Sequence, residues 1–432
     1  MQFTDKLFYK KLNLITFALL AVLSISGGVI ALFAHNWDDF PRIVRVILSF
    51  VPVLLGIAVF VYMEMKKYPS VVWREASSVF FMFMLGSSLA MIGQVYNMGG
   101  TFADLMFNWM VLSIPIIYVA NSSLAAVFYL LGIAVWVYAN SLGRMFFFIP
   151  SFEAIEQNNW YWILLLAIAP HLFFNVKRNL EDPKSLVLVW AFTLSLQSCA
   201  GFTFRHHMII GLVLIAASLY SLGRMYRSEK SVCDAWYKRP LSIVGIFGMF
   251  YILLIVSSNG FLENYVRWED YISSGSPSFM DDDFVRESSG HDWIYYLTYV
   301  VILGMAYWVF TSFMREYKEN PKQMNYFNYA VAPMVLLAIV LEIMGTDTVT
   351  RILLNLFLLA WGGFYILRSV QMNLPKLAAF GFTILSLTLL VRYFDMEMSF
   401  YLKGLIYIAI GSAALYFNKV YSEMKIDGKN EE

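Results

Sequence analysis

Charge is scarce in this sequence. Of 432 residues, 31 are Lys or Arg and 30 are Asp or Glu, a charged share of 14%, where soluble domains carry roughly 25%. A soluble chain of this length needs far more charge to cover its surface. A soluble enzyme, a nucleic-acid binder and a disordered protein are therefore excluded. Cysteine is nearly absent as well, with Cys199 in an apolar run and Cys233 in a loop. Disulfides, CxxC redox chemistry and cysteine-ligated zinc have no support. There is no Ser/His/Asp arrangement, no H-E-x-x-H and no Walker or Rossmann glycine motif, so no catalytic residue and no cofactor are expected. Of the histidines, His35, His206, His207 and His291 fall on the outer side of the membrane and only His171 does not. None has H-x-x-x-H spacing, so no metal site is expected.

What the chain has in quantity is apolar sequence, 59% of its residues. A membrane span needs about 20 mostly apolar residues. Runs of that kind lie near 12–33, 43–63, 76–96, 105–120, 122–139, 160–176, 185–204, 207–223, 240–258, 293–313, 326–343, 350–370, 374–391 and 400–418. Most are apolar on every face, as lipid-embedded helices are, and the alternating polarity of a membrane barrel is missing. The expected fold is all-α: a polytopic transmembrane helix bundle of about 14 spans. Only Asn121 to Ser123 separate runs four and five. They form either a tight hairpin or a re-entrant pair.

Charge placement sets the threading. With both termini cytoplasmic, 22 of the 31 basic residues fall in inner gaps, and the two faces carry +9 inside and −8 outside. This is the positive-inside pattern along the whole chain. Every inner gap has at least two basic residues except the three-residue gap at Asn121. The basic start, Lys6 to Lys11, precedes a run too long for a signal-peptide core, and no small-x-small site follows. The first span therefore reads as an uncleaved anchor. We divide the chain into an N-terminal membrane half, 1–204, and a C-terminal half, 205–432. The second half carries the one long gap, an acidic outer loop at 259–292, which is either a partner-binding lid or a solvated surface loop.

Charges cost at least about 2.5–3.5 kcal/mol in hydrocarbon, and the span centres are nearly free of them. The deepest ionisable group is His171, directly after Pro170. Its expected role is packing, by hydrogen-bonding a carbonyl that the proline frees; the alternative is a proton relay. Polar groups gather instead at the outer ends, in three strings. The first holds Trp37, Asp38 and Arg42, with Asp39 as a plausible N-cap. The second holds Gln94, Tyr96 and Asn97 before Gly99 and Gly100. The third holds Glu342, Asp347, Arg351, Arg392, Asp395, Glu397 and Lys403. These strings either line an outer-leaflet polar pocket or clamp helices together. Pro115 and Pro333 are candidate helix breaks in two inverted halves.

The strings also carry a resemblance. Ala34-His35-Asn36-Trp37-Asp38 leading to Pro41-Arg42, then Gly93-Gln94-Val95-Tyr96 with Gly99-Gly100, resemble the N-terminal motifs of the bacterial membrane-protein family DUF2157. Arg392-Tyr393-Phe394-Asp395, then Lys403-Gly404 and Gly411, are similar to its C-terminal portion, where the position of Lys403 is more often arginine. The likeness covers about residues 10–140 and, more weakly, 325–420. It implies a polytopic bacterial inner-membrane protein and brings no catalytic residue with it.

The expected function is transport or handling of a small polar or lipid substrate at the outer-end pocket. The bare span centres argue against ion coupling. The expected partners are the lipid bilayer and, at the outer face, a lipid headgroup or an envelope protein, with no nucleic acid. One rival is an assembly protein that binds an envelope partner through the acidic loop. The other is a membrane-embedded transferase, for which Asp281 to Asp283 are a poor match.

Overall fold

A computed structural model describes residues 40–65, 71–142, 158–178, 182–204, 207–226, 238–258, 292–319, 324–372 and 375–395, with isolated positions besides. Among the described residues the structure is helical throughout, with no strand. The helices are α1 (Arg42–Met65), α2 (Val71–Val95), α3 (Phe102–Ala120), α4 (Ser123–Leu142), α5 (Trp160–Arg178) and α6 (Pro183–Cys199). After a 3-10 turn at Ala200–Thr203 come α7 (Met208–Tyr226), α8 (Pro240–Val256), α9 (Asp292–Glu319), α10 (Tyr326–Ile343), α11 (Asp347–Met372) and α12 (Pro375–Asp395). Among the described residues, ten helices are long and apolar enough to cross a membrane, and the helices at Pro240–Val256 and Leu377–Arg392 are shorter apolar ones. A helix is the form such runs must take, because lipid offers the backbone no other hydrogen-bond partner. The runs at 12–33 and 400–418 lie outside the described residues, as do Trp37, Asp38, Asp39, Lys403 and most of the acidic loop.

The narrow gap after run four is a true turn between two helices. Thr101 and Asp104 form a capping box that opens α3. Asn121 closes α3 in the left-handed region, at φ 45° and ψ 47°, a conformation that asparagine tolerates. Ser122 then starts α4, its hydroxyl accepting from the Ala125 N–H at 3.1 Å. The prolines do not break their helices: Pro52, Pro115, Pro170 and Pro333 all lie inside continuous ones. Proline removes one backbone donor and displaces another. At Pro52 the loss is covered from outside, for the Val53 N–H donates to Ser88 Oγ of α2 at 3.0 Å.

The chain forms two compact units. One holds Met1–Met208 and Leu222–Val244, the other Ile209–Ser221 and Gly245–Glu432. Between membrane helices there is no hydrophobic drive, so small residues and close packing set the contacts. In the first unit Gly86 lets the Trp109 indole lie against α2, where any side chain would collide with the ring. The Trp109 N–H then reaches the Met82 carbonyl at 2.8 Å. In the second unit Trp361, Val335, Leu354 and Leu358 are fully buried among α10 and α11. The Asn328 side-chain Oδ1 accepts from both Trp361 Nε1 and Tyr365 OH, each at 3.0 Å.

Candidate functional site

Two polar junctions stand out, one in each unit. In the second unit, α10 ends and α11 begins across a tight turn. The Gly345 N–H donates to the Glu342 carbonyl at 2.8 Å, and Gly345 adopts φ 73°, which glycine reaches without strain. The Thr346 hydroxyl donates to the Leu341 carbonyl at 2.7 Å, and the Thr350 N–H to the Thr346 carbonyl at 3.0 Å. This turn brings Glu342, 8% exposed, within hydrogen-bonding reach of Asp347. Asp347 gains from the helix dipole in the first turn of α11. Arg351 stands one turn on, its Nε 3.4 Å from the Asp347 carbonyl.

These side chains line a cleft with Val256, Ser258, Leu262, Glu263 and Thr350. Among the described residues, three carboxylates therefore share this cleft with one guanidinium. Two carboxylates in contact repel unless a proton or a cationic group lies between them. The free space takes about one water molecule, so a larger ligand enters only when a wall moves.

Arg392, which the sequence groups with this cluster, is not among the side chains that line the cleft. Its Nε donates to Asn355 Oδ1 at 2.8 Å and its Nη2 to Ser257 Oγ. Asn355 in turn donates to the Arg351 carbonyl at 2.8 Å. Asp395 ends α12. The other predicted residues belong to the first unit. Arg42 is exposed at the start of α1. Gln94, Tyr96 and Asn97 are exposed at the end of α2, where Asn97 takes φ 46° and the Met98 N–H returns to the Gly93 carbonyl at 3.0 Å. That string forms an exit turn. His171 pairs with Asn175 of its own helix, with the ring Nε2 3.2 Å from Nδ2, and packs edge-on against Tyr118.

The sequence pattern does not reveal the junction of the first unit. It begins span three at 76, which leaves Glu75 in a loop. The helix begins at Val71, and Glu75 is 2% exposed inside it. One carboxylate oxygen accepts from the Ser122 hydroxyl and, at 2.9 Å, from the Leu124 N–H. The other pairs with Lys184 in the first turn of α6. Glu75 thus caps α4 from a different helix, as an anion at a helix N-terminus does. Its partners lie 47, 49 and 109 residues away in sequence, so no local signal marks them. Glu75, the Asn121 turn and Lys184 come from three gaps that the charge pattern assigns to one face, and they do meet. A third polar group ties α4, α5 and α6: Asn158 donates to Ser141 Oγ at 2.9 Å and accepts from Asn140 at 3.0 Å, while Trp162 donates to Thr203 Oγ1 at 3.0 Å.

Residues 4–126 match the model of a predicted membrane protein family, DUF2157. The resemblance carried by the Trp37 and Gln94 strings falls within this match, and the weaker C-terminal likeness lies beyond it. No curated protein and no solved structure matches the chain.

Proposed function

We propose that this integral membrane protein lies in the bacterial cytoplasmic membrane with both termini inside and 14 crossings, and binds a small amine-bearing ligand at the Glu342 cleft. The ligand is a solute or a lipid headgroup, and binding serves its transport or handling. One observation carries the reading: among the described residues, Glu263, Glu342 and Asp347 share one cleft with the guanidinium of Arg351. That excess of negative charge along the wall suits an ammonium group, with Arg351 facing a phosphate or carboxylate on the same molecule. Among the described residues no three His, Cys, Asp or Glu side chains converge closely enough to hold a metal ion, so an organic amine is the better match.

The test is thermal unfolding of purified protein with phosphatidylethanolamine, phosphatidylcholine or free phosphoethanolamine. Saturating ligand at about 100 times its Kd stabilises a protein by about 2.7 kcal/mol. We expect the primary amine to stabilise, and the paired change Glu342→Gln with Asp347→Asn to remove the effect. The quaternary ammonium of phosphatidylcholine donates no hydrogen bond. Equal stabilisation by that lipid would overturn the reading. A response to phosphoethanolamine separates a solute from a headgroup.

A second reading rests on Glu263, which begins the acidic gap and also lines the cleft. It makes that loop the contact for an envelope partner. Deleting 273–285 should then release a co-purifying envelope protein, and an unchanged pull-down would count against it.

A further inference from the structure

Arg392 lies at the end of α12, outside the cleft wall, yet it reaches both of the segments that frame that wall. Toward α11 it donates to the Asn355 side-chain Oδ1, and the Nδ2 of the same side chain donates back to the Arg351 carbonyl. Arg351 and Asn355 are one helical turn apart, so the grip on Asn355 sets the height and rotation of Arg351. Toward α8 it holds Ser257, whose hydroxyl also donates to the Leu254 carbonyl at 3.1 Å. Ser257 adjoins Ser258, which lines the cleft. One planar guanidinium thus spans two helices through two of its nitrogens.

We infer that Arg392 is a positioning residue for the amine site: it sets the separation of α8 and α11, and so the aperture between Ser258 and Arg351, without touching the ligand. The inference rests on the cleft being a binding site, but its geometric half does not. Guanidinium shape carries the role, because a lysine ammonium is a point charge that reaches one arm and leaves the other unmet. A residue needed only for charge would be replaced by lysine without loss.

The test uses the full chain with Cys199→Ala and Cys233→Ala; one preparation adds Ser258→Cys beside α8 and Val349→Cys at an exposed position of α11 as cross-linking reporters, and binding is read in the chain without them. Cross-linking by a short bis-maleimide reads the aperture. A thermal shift with phosphatidylethanolamine reads binding. We expect Arg392→Lys to insert and fold, to lose most of the cross-link, and to weaken phosphatidylethanolamine binding about tenfold, the order carried by one charge-assisted hydrogen bond. Ser257→Ala and Asn355→Leu, each removing one arm, should reproduce part of both effects, and they decide the matter if the Arg392 variants do not fold. A wild-type cross-link and wild-type binding in Arg392→Lys would overturn the inference. Arg351→Ala separates the two ideas. If it leaves lipid binding intact, the cleft reading fails, while the cross-link still decides what Arg392 does.

Discussion

Glu75 and Glu342 are both carboxylates at the end of a membrane helix, with 2% and 8% of their surface exposed. Their surroundings differ. Glu75 has a hydroxyl, a backbone N–H and an ammonium on its two oxygens, and these come from the start of α4 and from α6. Glu342 has another carboxylate in reach, a third nearby, and one guanidinium on the same cleft wall. The first arrangement is balanced and closed. In the second, negative groups outnumber positive ones among the described lining residues. The contrast teaches that burial of a charge does not mark a site. The two junctions differ in the groups set around the carboxylate, not in how deeply it is buried.

Substitutions can break this contrast, and the largest effect belongs to the closed junction. Glu75→Leu strands Lys184 and the first N–H groups of α4, and should cost about 3–5 kcal/mol, as breaking a buried pair does. Thermal unfolding in detergent reads it, and a loss below that of a surface change would mean the junction is not the clamp described. Asn328→Leu leaves the Trp361 and Tyr365 donors unmet in a packed interior. It should cost about 2 kcal/mol, which calibrates the second unit in the same experiment.

The sharper test is one of sign. Glu75→Gln keeps an acceptor but loses the ion pair, and should destabilise by about 1.5–3 kcal/mol. Glu342→Gln relieves repulsion, and should stabilise by about 0.5–1 kcal/mol. Two losses of similar size would show that both carboxylates are structural. Smallest is Gln94→Ala, an exposed side chain in an exit turn, with an expected change within about 0.5 kcal/mol.

The helices were legible because lipid demands long apolar runs, and the described helices follow those runs closely. The charges grouped three gaps whose residues Glu75, Ser122 and Lys184 do meet. The Trp73-Arg74-Glu75 string misled, because polar residues at the start of a run look like loop until their partners are known. Glu342, Asp347 and Arg351 could be grouped from sequence because one turn of chain joins them. Glu263 could not, since it reaches the cleft from a separate segment. Arg392 was grouped with them by depth, as part of either a pocket or a helix clamp, and it bonds Asn355 and Ser257 outside the cleft lining. Its partners are an asparagine and a serine in apolar stretches, and nothing local says which way their side chains point. The Arg351-x-x-x-Asn355 spacing was the one hint in the sequence, being a single helical turn.

The bond between Val53 and Ser88 has a consequence in time. Its two ends are 35 residues apart in the chain. At usual rates of synthesis, Ser88 is made about 2–7 s after Val53. During that interval α1 holds an exposed backbone donor that hydrocarbon cannot satisfy. That helix therefore has reason to wait at the insertion machinery, or at the wet edge of the bilayer, until α2 arrives, and the two enter the lipid as a pair.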